Sequence, residues 1–364
     1  MSDARVMHSD YMEWAKARQA ARYTVAYSGI QGLTLADLGA SLDDIALDGA
    51  PGYGLASLCE ALAAKSGVGP DRVVLATGTS GANHLVLAGL IEPGDRIALE
   101  RPVYEPIESL ARHLGAQIRF FERRHENEFR IDPADVAAAA GPGTKAIVFS
   151  NLNNPAPVAT DEPTLREIGA IAERVGARVV VDEVYLDAAF EHAPPSSPLL
   201  GDVFVATTSL TKVYGLGGLR CGWIVADRAL AERLWRLKNL FGVNEAHPAE
   251  RLALFALGRS EAILARARAI LDTNRAAWHA FLDGRDDLET FRSPIGTTSF
   301  PRVRGVSTDA LCDHLRERYE TALVPGRFFG CDDHVRVGFG GDPASFPEAL
   351  DRFGRALDDL AGRR

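Results

Sequence analysis

Between residues 70 and 226 the chain repeats one pattern: a short apolar run, a turn, then a stretch at helical spacing. The runs are 73–76, 96–100, 117–121, 146–149, 178–181, 203–206 and 222–226. Apolar runs of four or five residues suit strands buried on both faces. Strands alternating with helices make a mostly parallel sheet covered on both sides. The pattern therefore predicts an α/β fold: three layers around a mostly parallel seven-stranded sheet. Helices are expected over 55–65, 82–91 and 106–114, after Asp132-Pro133, and after Asp161, where Leu165, Ile168, Ala172 and Val175 recur at helical spacing.

After Ala231 the character changes. Residues 228–240 and about 250–283 read as long helices. Residues 285–364 read as a smaller α+β unit with strands near 297–303, 323–324 and 334–339. Its last helix is expected to open with a capping box, Ser345 to Glu348, and to bury Leu350, Phe353, Leu357 and Leu360. We expect a large domain over 46–275, a small one over 276–364, and a segment over 1–45 packing with the small domain. A loop at Ser28-Gly29-Ile30-Gln31-Gly32 has glycines suited to a close approach.

A net charge of −9 argues against nucleic acid as the main partner. No apolar run approaches the roughly 18 residues of a membrane span, and Met1 to Arg5 lack a signal-peptide profile. Cys59, Cys221, Cys312 and Cys331 form no CxxC pair, and the histidines show no ligand spacing, so neither disulfide nor metal is expected. The expected location is the cytoplasm.

In open α/β sheets ligands bind at the carboxyl ends of the strands. Four strand ends here carry polar motifs. Gly78-Thr79-Ser80-Gly81 sits between a strand and a helix, where backbone amides and hydroxyls suit a phosphate or simply cap the helix. The GxGxxG and Walker patterns are absent there, which disfavours a nicotinamide dinucleotide. Asp182 ends an apolar run, where a carboxylate needs a partner: a protonated ring nitrogen, a buried arginine, or a helix N-terminus. Asn154-Pro155 and Ser209 to Lys212 complete the set.

Lys212 stands out because the chain has only five lysines among 40 basic residues. It persists among Ser, Thr and Gly, where arginine would serve as a generic cation. Only lysine can form a Schiff base.

These motifs together resemble the fold-type I, class I/II pyridoxal-phosphate enzymes, the aspartate aminotransferase superfamily. The likeness runs from about Gly52 to the C-terminus. Its most specific part is Ser209, Thr211, Lys212, then Arg220 eight residues on and Gly222. The resemblance implies pyridoxal 5'-phosphate held by Lys212 as an aldimine, with Lys212 also shuttling the Cα proton. It implies that Asp182 faces the ring nitrogen, Tyr185 and Asn154 the 3-oxygen, and Tyr104 the ring face. Gly78, Thr79, Ser80, Ser209 and Arg220 would hold the phosphate, supported by Thr211. Arg336, with Asn154 and Gly29, would bind the substrate; a strand-surface cation is the other reading of Arg336. The substrates implied are an amino acid and a 2-oxo acid, and the assembly a homodimer with sites near the subunit interface. Lys212 should have a depressed pKa, from Schiff-base formation and nearby cations.

Two departures stand out. Asn151-Leu152-Asn153-Asn154-Pro155-Ala156-Pro157 keeps the family's key Asn-Pro but lacks the Thr-Gly that usually follows. The family's partner-subunit tyrosine aligns near Gly49 or Ala50, with Tyr53 close by; Asn244 is a second candidate to cross an interface. The expected activity is amino transfer. A carbon–sulfur β-lyase or a cyclising synthase on the same fold is the alternative, and a non-catalytic sensor a remote one.

Overall fold

The computed structural model describes residues 5–18, 21–49 and 52–362. In chain order come helix α1 (Asp10–Arg18), strand β1 (Tyr23–Thr24), α2 (Leu35–Leu38), α3 (Ala56–Ser66), β2 (Val73–Thr77), α4 (Gly78–Leu90), β3 (Arg96–Arg101), α5 (Glu105–His113) and β4 (Gln117–Glu122). Next are α6 (Pro133–Ala139), β5 (Thr144–Ser150), α7 (Glu162–Val175), β6 (Arg178–Asp182), β7 (Phe204–Ser209), β8 (Cys221–Val225), α8 (Arg228–Lys238), α9 (His247–Leu257) and α10 (Ser260–Asp283). The chain continues through β9 (Leu288–Glu289), β10 (Thr298–Ser299), β11 (Arg302–Val303), α11 (Thr308–Tyr319), β12 (Thr321–Ala322), β13 (Val324–Pro325), β14 (Val335–Gly338) and α12 (Phe346–Ala361).

Strands β2 to β8 form one seven-stranded sheet in the order β2-β8-β7-β6-β5-β3-β4. Only β8 runs against its neighbours. Its first residues therefore lie where the other strands end: Cys221 pairs with Thr77, and Gly222 with Ser209. Alternation along the strands builds the layers. Val74, Val148, Val180 and Val205 face a core shared with α4, α5 and α8. Ile147, Phe149, Val179 and Val181 face the opposite core, with α6 and α7. The expected three-layer α/β architecture is what forms.

Several local expectations are corrected. Helix α4 starts at Gly78, not at residue 82, so Thr79 and Ser80 sit in its first turn. The single helix expected over about 250–283 is two, broken at Gly258-Arg259; the break lets α9 pack on α3 while α10 packs on α12. The capping box at Ser345 does not form. Ser345 Oγ donates to the Asp342 carbonyl, and Glu348 accepts from Arg352 instead. Leu360 is exposed, one turn beyond buried Leu357.

Near the other end of the sequence, β14 pairs with β10 and β13, and β1 pairs in parallel with β12. The N-terminal segment thus joins the C-terminal elements by backbone bonds, among them Gly338 N to Val25 O at 2.6 Å. None of the described helices is long and apolar enough to cross a membrane.

Two glycines interlock where β2 becomes α4. A Cβ on Gly222 would lie 2.4 Å from the Gly78 carbonyl carbon, and one on Gly78 would lie 2.4 Å from the Arg220 guanidinium. Gly222→Ala should therefore cost about 2–3 kcal/mol of stability through overpacking. Gly218→Ala, which meets nothing within 4 Å, should stay within about 0.5 kcal/mol. Urea unfolding of the two variants side by side checks this.

Candidate active site

Strand alternation and helical spacing meet at one seam. Asp182 follows Val180 on the α4 side of β6, and Thr207 and Ser209 follow Val205 on β7. Opposite them, Thr79 and Asn83 are one turn apart on α4 and share a face. Asn83 Nδ2 donates to Asp182 Oδ2 at 2.9 Å, and Thr207 Oγ1 donates to Asn83 Oδ1 at 2.5 Å. Thr79 Oγ1 donates to Ser209 Oγ at 2.8 Å, and Ser209 Oγ to Thr211 Oγ1 at 2.9 Å. The Val184 amide donates to Asp182 Oδ1 at 3.1 Å. Burial still pushes the Asp182 carboxyl up to about 6, against those two hydrogen bonds.

Lys212 follows β7. Its amine donates to Ser28 Oγ at 3.2 Å, and the Tyr185 phenol donates to the same oxygen at 2.8 Å. The Lys212 carbonyl accepts from Ile30 N at 2.8 Å. Burial holds the amine below the ordinary lysine range, and the Arg336 guanidinium adds to this. The direction matches the sequence reading, but burial rather than neighbouring cations is the main cause. Burial also pushes the Tyr185 phenol up to about 12.

At the other end of the seam α4 presents its N-terminus with no side-chain cap, since Thr77 Oγ1 donates instead to Glu245 Oε2 at 2.7 Å. Arg220 leans over Gly78 from a left-handed backbone, φ 50°. Its contacts are long ones to carbonyls, Gly217 O at 3.4 Å and Thr77 O at 3.5 Å; among the described residues no carboxylate pairs with it. An uncapped helix end, three hydroxyls and an arginine without an acid are suited to an anion.

Arg336 is fully buried on β14, which excludes a strand-surface cation. It donates to Asn154 Oδ1 at 3.1 Å, Tyr11 OH at 2.9 Å and Ala26 O at 3.0 Å, all neutral groups. Its Nε has no hydrogen-bond partner among the described residues. A buried guanidinium left without an anion is suited to a carboxylate ligand.

A cavity of about 260 Å³ joins these parts. Thr79, Ser80, Tyr104, Asn154, Asp182, Tyr185, Thr211, Lys212 and Arg220 line it. Gly78, Ser209 and Arg336 stand outside that lining and reach it through the contacts above. Gly29 packs against the Lys212 side chain and carbonyl, 3.4 Å from each for a Cβ placed there. Tyr104 OH donates to Met12 Sδ at 3.4 Å, and its phenol is raised by burial. The residues fit pyridoxal 5'-phosphate: anion site at one end, carboxylate at the base, amine alongside.

Sequence reasoning missed Ser28, Asn83, Tyr11 and Met12. Asn83 was findable, being four residues after Thr79 on the same helical face. Ser28 lay inside a loop noted only for its glycines. Ala50 lies outside the described residues. Tyr53 is half exposed and rests 5.0 Å from the Trp235 ring. Asn244 is exposed and lines a second cavity that also includes Arg220.

Residues 46–353 match the family model described as aminotransferase class I and II. Capreomycidine synthase of Streptomyces vinaceus is 30% identical over 344 residues, covering 90% of this chain and 88% of that protein. Arginine–pyruvate transaminase of Pseudomonas aeruginosa is 27% identical, covering 81% and 77%. The crystal structure of a pyridoxal-phosphate-dependent aminotransferase from Streptococcus suis superposes with TM-score 0.92 at 28% identity, over 98% and 99% of the two chains. A pyridoxal-phosphate-dependent cyclase, OrfR, shares the fold with TM-score 0.88 at 24% identity, over 99% and 98%.

The raised Asp182 pKa has a pH signature. A buried acid raised from 3.8 to about 6 supports folding below pH 4, and that support is lost as pH climbs through 6. In the cofactor-free chain, the stability of wild type minus that of Asp182→Asn should therefore fall between pH 4 and 7, by about 2–3 kcal/mol. Urea unfolding at stepped pH measures it; a flat difference would show that the carboxylate is not destabilised by burial.

Proposed function

This chain belongs to the class I and II aminotransferase family and uses pyridoxal 5'-phosphate, and we propose that it moves an amino group from an α-amino acid to a 2-oxo acid. The observation that carries the reading is Lys212, an amine of lowered pKa in the same cavity as the buried Asp182 carboxylate. When bound, the cofactor supplies an electron sink for the pair left at the substrate Cα.

The chain's own residues divide the remaining work. Arg220, Ser80, Thr79, Ser209 and the α4 amides would hold the phosphate. Asp182 would pair with the ring nitrogen and favour its protonated form. Tyr104 would pack against the ring, and Tyr185 and Asn154 would hydrogen-bond its 3-oxygen. Arg336 takes the substrate carboxylate, its Nε filling an unmet hydrogen bond. Lys212 removes the Cα proton and carries it. The exposed apolar run Leu240, Phe241 and Val243 supports a homodimer as the working assembly.

A second reading is a cyclising synthase. The 30% identity to capreomycidine synthase over 90% of the chain favours it. Both readings need the same proton removal and differ in where the nitrogen ends. Supplied with ¹⁵N-amino acids, arginine included, and pyruvate, a transaminase moves the label to alanine. A synthase keeps the label in a ring product, and a β-lyase releases ammonia.

Lys212→Ala should bind the cofactor weakly, retain none on borohydride trapping and transfer no label; normal turnover by that variant would sink the assignment. Arg336→Lys should raise KM for the amino acid about 100-fold, the loss expected when a buried charge-assisted fork becomes a point charge. Steady-state kinetics across the amino acid panel checks it.

A further inference from the structure

Ser28 is 3% exposed, and its oxygen takes two hydrogen bonds, from Tyr185 at 2.8 Å and from Lys212 at 3.2 Å. A hydroxyl oxygen has two lone pairs, so both are in use. Among the described residues Ser28 Oγ is the one hydrogen-bond partner of the Lys212 amine. The other polar groups facing that amine act at longer range: Tyr11 from α1, Tyr27 from the same loop, Asp182 at the end of β6, and Arg336 on β14.

The place of the hydroxyl is fixed by backbone. Backbone bonds tie the loop down, among them Val25 N to Ala322 O at 3.0 Å, Gly338 N to Val25 O at 2.6 Å, Ile30 N to Lys212 O at 2.8 Å, and Gln31 N to Gly340 O at 2.7 Å. A lysine amine sits on a flexible four-carbon stem and has no preferred place of its own. Proton transfer needs the amine within hydrogen-bond reach of the proton it takes. The amine is free in the cofactor-free chain and must be free again whenever it carries the Cα proton.

We propose that Ser28 is a positioning residue: its oxygen holds the free Lys212 amine at the cavity wall so that proton transfer starts from one geometry. This rests on the reading of Lys212 as the proton carrier. Tyr185 shares the acceptor, so the hydroxyl also sets where the phenol rests while the amine is free. Nothing in the Lys212 motif encodes this; the acceptor comes from a loop 184 residues earlier in the chain.

The test uses the full chain with Ser28→Ala, Ser28→Thr and Ser28→Cys. In the cofactor-free protein, acetylation of Lys212 is followed against pH by peptide mass spectrometry. An acceptor favours the ammonium form, so its removal in Ser28→Ala should lower the half-reaction pH by about 0.5–1, with recovery in Ser28→Thr. In the cofactor-loaded protein, exchange of the substrate Cα hydrogen with solvent deuterium should slow about 10-fold in Ser28→Ala, with KM unchanged, and recover in Ser28→Thr. Ser28→Cys, close in size but a weak acceptor, should behave like Ser28→Ala and carries the test if the alanine variant does not fold. Unchanged values in Ser28→Ala, or a threonine variant as defective as alanine, overturn the proposal. Exchange that persists in Lys212→Ala would instead overturn the role of Lys212, a separate outcome.

Discussion

A carboxylate at the end of a central strand, sealed under a helix, is the constraint around which the site is arranged. Asp182 is 6% exposed. An unpaired charge there would cost several kcal/mol. Asn83 and the Val184 amide meet it, and Asn83 is itself held by Thr207. These bonds fix the turn of α4 that carries Thr79 and bring its N-terminus to the sheet edge. They do not neutralise the charge, so the acid keeps a raised pKa and a demand for a cation. A protonated ring nitrogen would meet that demand, the role proposed for the cofactor here.

The second organising contact is steric. Gly78 and Gly222 let β8 and the start of α4 approach more closely than any Cβ allows. Because β8 runs against the other strands, the residue before it arrives at the same edge as their ends. Arg220 is that residue, and its left-handed backbone turns the side chain over Gly78. The arginine and the glycine two residues later are thus one device: the glycine makes the room in which the arginine works.

Much of this was legible in the sequence because strand ends in an α/β sheet must converge. Gly78, Asn154, Asp182 and Lys212 each lie at or just after the end of a strand, so their meeting follows from topology. Position on a face was harder to read. Asn83 is buried inside α4 and looked like an ordinary helical residue until the register of β6 and β7 placed Asp182 and Thr207 opposite it. Arg336 alternates with valines as a surface strand would, and the N-terminal segment laid across it, together with Asn154 and Phe329, buries it. Ser345 has the right partner at the right spacing, yet both side chains bond elsewhere and no side chain caps the helix.

The bond between Arg336 and Tyr11 spans 325 residues. With the Lys212–Ser28 contact, it makes the site a junction of the two ends of the polypeptide rather than of one region. While the chain is being synthesised, everything from the lysine to the sheet can be in place before β12 and β14 leave the ribosome. The pocket at that stage lacks its guanidinium, and the N-terminal segment has no β12 to pair with. If Arg336 takes the substrate carboxylate as proposed, the site is complete only once β14 is in place.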